Sequence, residues 1–331
     1  MTPIQLFYYL GYSFKKWRSR RKQKRLPHKV ISVGNITVGG TGKTPAAIAL
    51  AEEAKKRGYR PVILTRGYRG KAKGPCFVYA GSGAGLSVEE VGDEPAVMAG
   101  RLKDVPVVKT ADRYQGGIFA ARHLGNDGLP LLFILDDGFQ HWQLSRDVDV
   151  VLVDGLDPFG NRKLLPVGRL RGPVSELKDA DIIVITKVRN EALASEIKLI
   201  NKKAPVYFAS HEVTGLRGPD GNVDMGLMKD KNIFAFCGIA NPVSFKKTLS
   251  ALACTIVKFK SYSDHYRYVQ ADMTDLEDCG MKLGADFLIT TEKDMVKIRE
   301  LPRVPSNLLS LEIGFSVDEG FYDEVFKKTE S

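Results

Sequence analysis

The segment GGTGKT, residues 39–44, has the residue types of a loop that binds phosphate. It lies between an apolar run, KVISVGNI, and a helical pattern, TPAAIALAEEAKKRG, which is the strand–loop–helix setting that this motif requires. Glycines let backbone N–H groups approach phosphate oxygens, Lys43 can reach the terminal phosphates, and Thr44 can offer its hydroxyl to Mg²⁺. Thr37 stands where the usual pattern has its first glycine, at the exit of the strand. The segment therefore predicts a nucleoside triphosphate site.

Two adjacent carboxylates, Asp136 and Asp137, follow a second apolar run, LPLLFIL. A phosphate loop needs a carboxylate at the end of a neighbouring strand to hold the metal, directly or through water. Adjacent carboxylates repel each other unless a cation lies near them. We therefore predict a Mg²⁺ site formed by Thr44, Asp136 and Asp137, and which aspartate contacts the metal stays open. Read alone, the pair also fits an Asp-Gly turn that ends a strand.

The elements that must position these residues form an α/β pattern. RPVILTRGY, VPVVK, VDVVLVDG and DIIVITK are nearly continuous apolar runs, as expected for a parallel sheet covered on both faces, and helical stretches alternate with them. Near residue 205 the pattern changes to extended chain around a polar turn, after which strands and helices alternate again. We predict a P-loop-type parallel-sheet domain over residues 27–204, an extended linker over 205–221, and a second, smaller α/β domain over 222–331 that closes a cleft.

The N-terminal residues 1–26 carry eight of the net ten positive charges and no acid. A general face for nucleic acid is therefore a poor explanation of the charge. An apolar stripe recurs there at spacings of three or four residues and consists of Ile4, Phe7, Leu10, Phe14 and Trp17. The apolar run is shorter than the about 20 residues that a spanning helix needs. We predict an amphipathic helix lying in the cytoplasmic face of an anionic membrane. The alternative is a core helix followed by a solvated basic turn.

Aromatic residues and cysteines add to this assignment. The aromatic side chains suited to a headgroup layer are Tyr8, Tyr9, Tyr12 and Trp17. The four cysteines are scattered and give no disulfide framework, which favours a reducing cytosolic setting. The pattern indicates no obligate protein partner.

Other P-loop classes fit the sequence less well. ITKVRN resembles the guanine-reading N-K-x-D pattern only at Lys187, because Arg189 stands where the aspartate is needed. ATPases of the MinD and ParA kind carry a signature lysine where Val38 stands. A kinase or an uncommon ATPase remains. A membrane-recruited ATPase switch is kept as one alternative, and a kinase acting on a soluble sugar or nucleotide as another.

Six segments, in their order and spacing, resemble the tetraacyldisaccharide 4'-kinases, the lipid A 4'-kinases of Gram-negative bacteria. They are GNITVGGTGKTP, TRGYRG, GDEP, DDGFQH, LLPVGRLRGP and TTEKD. The resemblance implies ATP- and Mg²⁺-dependent phosphorylation of the 4'-hydroxyl of a tetraacylated glucosamine disaccharide 1-phosphate, which forms lipid IVA. It also implies two α/β/α domains joined by a short β linker, and peripheral attachment to the cytoplasmic face of the inner membrane.

The resemblance gives roles to individual residues. Asp93 matches the family's candidate general base, although by itself it reads as a helix N-cap. His265 matches a histidine thought to pair with that base, and closure of the two domains would bring the pair together. Tyr266 stands where the family usually has a second histidine, so only His265 is assigned. Gly172 departs from a family stretch usually written R-E-P, because it replaces the acid.

The remaining site residues follow from the phosphate loop, from the chemistry of phosphate binding and from the same resemblance. Lys43 is expected to act in catalysis by stabilising charge on the transferred group. Residues expected to contact ATP are Val38, Gly39, Gly40, Thr41, Gly42, Lys43 and Thr44, with Glu292 and Lys293 across the cleft. Residues expected to contact the substrate are Arg66, Arg69, Gln140 and Arg171.

Overall fold

The computed structural model describes residues 2–79, 86–125 and 128–330. Its helices are α1 (Pro3–Arg21), α2 (Lys43–Lys56), α3 (Val88–Val91), α4 (Asp93–Arg101), α5 (Arg113–His123), α6 (Glu191–Ile200), α7 (Pro242–Ser250), α8 (Gln270–Lys282), α9 (Glu292–Ile298) and α10 (Phe321–Glu330). Its strands are β1 (Lys29–Gly34), β2 (Arg60–Thr65), β3 (Cys76–Val78), β4 (Val107–Lys109), β5 (Leu131–Asp136), β6 (Val148–Asp154), β7 (Ile182–Thr186), β8 (Val206–Gly218), β9 (Gly221–Val223), β10 (Lys231–Cys237), β11 (Cys254–Ser261), β12 (Phe287–Thr291) and β13 (Leu308–Val317). Short 3-10 helices cover Val174–Asp179 and Met225–Met228.

The strands of the described residues form a single sheet. Its order is β11-β10-β12-β13-β8-β7-β6-β1-β5-β2-β4-β3, with β9 paired to β8. The strands from β7 to β4 in this order are all parallel, and so are β11, β10, β12 and β13. This mostly parallel sheet, with helices packed on it, confirms the predicted α/β fold.

The central strands are buried on both faces, which explains their continuous apolar sequences. In β1, Ile31 packs into a core that includes Ala46 and Leu50 of α2. Its neighbour Val30 packs into a second core with Ala120 of α5 on the opposite face. Since successive side chains of a strand point to opposite faces, a strand between two helical layers must be apolar at every position.

The segment predicted as a linker is strand β8, and it joins the two halves of the sheet. Residues Val206 to Ala209 pair in parallel with β7 of the first half. From Ala209 to Arg217 the same strand pairs antiparallel with β13 of the second half. The hydrogen bonds of the sheet therefore continue from one half to the other.

The C-terminal helix α10 returns to the first half of the molecule. Phe321, Val325 and Phe326 are buried in the core that contains α2 and β1. The predicted second domain, residues 222–331, thus includes a helix that packs on the P-loop half. The division at residue 222 stays a prediction about which parts act as a unit.

Helix α1 lies on the protein with its polar side inward. Gln5 and Ser19 are buried, and Tyr8, Tyr12 and Lys16 are half-buried between them, at helical spacing. The predicted apolar stripe faces outward, with Phe7 75%, Leu10 55% and Phe14 60% exposed. The alternative of a core helix is therefore wrong for this stripe.

The orientation of α1 also corrects part of the aromatic prediction. Tyr9 and Trp17 are exposed, whereas Tyr8 and Tyr12 turn toward the protein. Among the described residues, no helix has the length and apolar character needed to cross a membrane.

Candidate active site

The phosphate loop connects β1 to α2 at the carboxyl edge of the sheet. Its helix begins after Gly42, which has a φ of 85° that favours glycine. A Cβ on Gly42 would also lie only 1.8 Å from Nε2 of His211, a side chain of β8. Thr186, at the end of β7, donates to the carbonyl of Thr41 at 3.1 Å. The loop is thus held in shape by the strands that surround it.

The entry to the loop is tied to the segment around Arg169. The Val38 N–H donates to the Arg169 carbonyl at 2.8 Å, and the Arg169 guanidinium donates back to the Val38 carbonyl at 2.9 and 3.1 Å. Thr37, which replaces the first glycine, is buried, and its hydroxyl lies 3.5 Å from Nδ2 of Asn35. A side chain therefore fits at the exit of β1.

Asp136 is buried at the end of β5 and is only partly satisfied. Thr65 donates to its Oδ2 at 2.9 Å, whereas its Oδ1 is a buried oxygen without a hydrogen-bond partner within the described residues. Burial, followed by the negative charges of Glu94 and Asp137, raises the pKa of Asp136 to about 7. Such a carboxyl group favours a cation beside it.

Asp137 has the opposite electrostatic surroundings. Arg171 donates to both of its carboxylate oxygens at 2.9 and 2.8 Å, and Lys43 Nζ lies 3.8 Å from its Oδ1. Burial alone would raise the pKa of Asp137, but the charges of Lys43 and Arg171 lower it. The structure thus brings the predicted Lys43, Asp136, Asp137 and Arg171 into one cluster.

Asp93 and His265 meet across the two halves of the molecule. His265 Nδ1 lies 2.9 Å from Asp93 Oδ2, and its backbone has a φ of 61° in a loop held by a hydrogen bond from its N–H to the Gly238 carbonyl at 3.0 Å. The N-cap of α4 is Gly92, so the alternative of Asp93 as a cap is wrong. The Asp93 carboxylate instead contacts His265.

Two predicted nucleotide contacts from α9 form ion pairs with the first half. Lys293 donates to Glu94 at 2.6 Å. Glu292 accepts from Arg101 at 3.0 Å and from the Ile313 N–H at 3.2 Å. Burial, only partly opposed by Arg101, raises the pKa of Glu292. Its carboxylate thus joins the two halves here, and its contact with ATP stays a prediction.

The predicted substrate residues other than Arg171 lie around this cluster. Arg66 and Arg69 are exposed after β2, and the Arg69 guanidinium lies 5.7 Å from the ring centroid of Tyr68. Gln140 donates from Nε2 to the hydroxyl of Tyr12 at 3.2 Å. Their substrate contacts stay predictions.

Sequence reasoning missed two cations at the site. Lys297 of α9 lies 3.8 Å from Asp93 Oδ2 and donates to Asp294 at 2.9 Å. Arg113 is buried at the start of α5, and burial lowers its pKa although Asp136 and Asp137 oppose this. The sequence could have indicated Arg113, because this residue follows the predicted strand VPVVK and the carboxyl ends of parallel strands meet at one edge of a sheet. No sequence pattern indicated Lys297, since Asp93, the carboxylate beside it, lies in the other half of the molecule.

Comparison with known proteins gives the family. The family model of Tetraacyldisaccharide-1-P 4'-kinase matches residues 1–330. The chain belongs to the tetraacyldisaccharide 4'-kinase family. A tetraacyldisaccharide 4'-kinase of Syntrophus aciditrophicus is 37% identical, over 97% of this chain and 90% of its own length. That of Syntrophobacter fumaroxidans is 39% identical, over 94% of this chain and 82% of its own length.

A solved structure agrees with this membership. LpxK from Aquifex aeolicus, described as an "apo" form in complex with ATP, matches with a TM-score of 0.79 and 33% identity. The match covers 99% of this chain and 98% of that one. The chain is therefore a kinase of this family, and an ATPase switch of the MinD or ParA kind is not favoured.

The buried ring of His211 generates a prediction about pH. Burial, together with the charge of Lys187, lowers its pKa to about 4. The folded protein therefore binds this proton less readily than the unfolded chain, so stability falls as the pH drops from about 6.5 toward 4. Between pH 7.5 and 5 we expect His211 to account for a loss of roughly 1–2 kcal/mol in the free energy of unfolding.

Urea unfolding at the two pH values measures this loss. In His211→Gln the loss between pH 7.5 and 5 should be smaller than in the wild type by that amount. His123→Asn is the control, because it replaces an exposed histidine. An unchanged pH dependence in His211→Gln would refute the assignment.

Proposed function

We propose that this kinase transfers the γ-phosphoryl group of ATP to the 4'-hydroxyl of tetraacyldisaccharide 1-phosphate, forming lipid IVA in lipid A biosynthesis. Family membership gives the activity and the acceptor class. The observation that carries the proposal for this chain is the 2.9 Å contact between Asp93 and His265, which joins the two halves of the molecule.

The triphosphate is assigned to the backbone N–H groups of residues 38–44. The free N–H groups at the start of α2 and its dipole favour phosphate oxygens there. Lys43 reaches the β- and γ-phosphates and stabilises the charge that develops during transfer. The half-buried position of Lys43 beside Asp137 keeps its cation inside the site.

The donor set fits Mg²⁺, which prefers oxygen ligands and is usually held by one or two carboxylates together with substrate phosphates. The buried, unpartnered Oδ1 of Asp136 and the hydroxyl of Thr44 would hold it, with Asp137 beside them. Across the described ranges, no cluster of three or more His, Cys, Asp or Glu residues forms a self-sufficient metal site. When bound, Mg²⁺ would neutralise charge on the β- and γ-phosphate oxygens.

Asp93 is assigned as the acceptor of the proton of the sugar hydroxyl. Its Oδ2 is held by His265 Nδ1 at 2.9 Å, and the cation of Lys297 lies 3.8 Å away, so two side chains fix the position of the carboxylate. His265 orients the base and takes up part of the charge change as the proton moves. Phosphoryl transfer has a loose, highly charged transition state, so positioning and electrostatics carry most of the work.

The acceptor is assigned to the exposed cations near this edge. Arg66 and Arg69 offer planar guanidinium groups that can bind a phosphorylated headgroup bidentately. Gln140 and Arg171 approach the same edge from the phosphate-loop side. Lys293 and Glu292 contribute to ATP binding through the closed arrangement of the two halves.

The enzyme is assigned to the cytoplasmic face of the inner membrane as a peripheral protein. The outward apolar stripe of α1 supports this, because an exposed apolar helix face flanked by cations lies well in an anionic interface. Some cations serve the protein instead: Lys16 and Arg20 pair with Asp179 at 2.8 and 2.7 Å. Lys15, Arg18 and Lys22 are among the exposed cations that can face lipid.

Label transfer tests the function and its proposed base. Labelled γ-phosphate from ATP should appear in tetraacyldisaccharide 1-phosphate and not in a soluble glucosamine disaccharide. Asp93→Asn should lower kcat by roughly two to four orders of magnitude with ATP binding retained, because a general base is lost. His265→Ala should reduce kcat less. Asp278→Asn, an exposed carboxylate on α8, is the matched control and should be unchanged.

Either of two results would contradict these assignments. Equal labelling of the soluble disaccharide would favour the soluble-sugar kinase. Full turnover in Asp93→Asn would remove Asp93 as the base, and a larger loss in His265→Ala would make the histidine the principal catalyst.

The membrane assignment predicts a defined loss of binding. Phe7→Ser/Leu10→Ser/Phe14→Ser should lower partition to phosphatidylglycerol-containing vesicles by roughly one to two orders of magnitude, because three apolar side chains no longer leave water. Leu199→Ser/Val243→Ser/Met281→Ser changes three apolar residues elsewhere that are each at least 71% exposed and serves as the control. Co-sedimentation measures both. Equal partition of the two variants would refute a specific role for α1.

A further inference from the structure

Tyr12 of α1 occupies the space beside Gly172. A Cβ built on Gly172 would lie 2.3 Å from the Tyr12 hydroxyl oxygen and 2.5 Å from its Cζ. The backbone of Gly172 lacks the positive φ that requires glycine, so space is what limits a side chain there. The Tyr12 ring also packs edge-on against Trp142, with centroids 5.1 Å apart. Tyr12 and Gly172 therefore form a matched pair.

The hydroxyl of Tyr12 holds a predicted active-site residue. Gln140 Nε2 donates to it at 3.2 Å. Burial, together with the negative charge of Glu176, raises the pKa of Tyr12, so the phenol stays protonated. Lys16, one turn further along α1, donates to both oxygens of Glu176 at 2.7 Å and fixes that carboxylate. The Gln140 amide is thus oriented from the N-terminal helix.

A second tyrosine of α1 reaches the same edge. Tyr8 donates its hydroxyl proton to the Arg171 carbonyl at 2.8 Å. The side chain of Arg171 in turn donates to both oxygens of Asp137, which lies 3.8 Å from Lys43. A continuous series of contacts therefore leads from α1 to the phosphate-loop lysine.

We propose that α1 is a positioning element of the active site and that Tyr12 is a positioning residue that holds Gln140 and the turn at residues 171–172. The inference rests on the proposed function. A side chain at residue 172 would meet the Tyr12 hydroxyl and would move it away from Gln140. Since the apolar stripe of the same helix faces outward, the surface that contacts lipid and the surface that aligns the site are two sides of one helix.

A double-mutant cycle tests the pairing. Gly172→Ala in the wild-type background should lower kcat at least tenfold at saturating ATP. In the Tyr12→Ala background, the added Gly172→Ala change should lower kcat less than twofold, because the space is then free. The same coupling should appear in the urea midpoint of unfolding. Equal effects of Gly172→Ala in both backgrounds would overturn the pairing.

Milder variants separate positioning from packing. Tyr12→Phe keeps the ring and loses the contacts of the hydroxyl with Gln140 and Glu176, and we expect a three- to tenfold lower kcat with an unchanged KM for ATP and little change in the unfolding midpoint. Tyr59→Phe, the same chemical change on a half-buried ring beside Phe326, should leave kcat unchanged. Full turnover in Tyr12→Phe would overturn the positioning role.

Label transfer and unfolding midpoints together distinguish failure of the kinase assignment from failure of the inference about α1. If the wild type transfers no label to the lipid acceptor while the unfolding midpoints still show the coupling of Tyr12 and Gly172, the kinase assignment fails and the positioning role fails with it. If the wild type transfers label but the midpoints show no coupling, the kinase assignment holds and only the inference about α1 fails.

Discussion

The buried carboxyl group of Asp136 is the constraint on which the arrangement of the site depends. Its pKa is raised to about 7 because burial and the charges of Glu94 and Asp137 disfavour its ionised form. The charges of Lys43 and Arg171 lower the pKa of the neighbouring Asp137, whereas at Asp136 the charge of Lys43 opposes burial only in part. A carboxylate left in this condition at the end of a buried strand is a poor structural element and a good metal ligand. The electrostatics therefore favour a cation at the place where a triphosphate would bring one.

The topology of the sheet explains why the charged side chains of the site lie close together. The carboxyl ends of parallel strands share one edge, so β1, β5 and β7 deliver the loop, the carboxylates and the bracing Thr186 to one place. Cations from the second half complete the balance: Lys293 pairs with Glu94, and Lys297 lies beside Asp93. Because these ion pairs join the halves, the position of Asp93 relative to His265 depends on how the halves are held together. Strand β8, which pairs with strands of both halves, provides a continuous connection between them.

The sequence was sufficient for features that depend on local pattern and not for those that depend on distant surfaces. The phosphate loop, the buried strands and the residues of the apolar stripe of α1 follow from spacing, and the structure has them where they were expected. The antiparallel pairing of β8 with β13 could not be predicted, because an extended segment does not encode its partner. The partner of Glu292 could not be predicted either. The segment TTEKD resembles a nucleotide contact, but Arg101 of α4 donates to the Glu292 carboxylate.

Helix α1 illustrates this limit most clearly. A period of 3.6 residues defines a stripe, but it does not say which side of the helix will be covered. A stripe of Phe7, Leu10 and Phe14 ordinarily packs inward, yet here the opposite side is covered, because Tyr8 and Tyr12 find hydrogen-bonding partners on the protein. The hydrogen bonds of Tyr8 and Tyr12 and the ion pairs of Lys16 and Arg20 hold the helix without burying its apolar stripe. The apolar stripe is then left exposed, which is the arrangement that the proposed contact with a membrane requires.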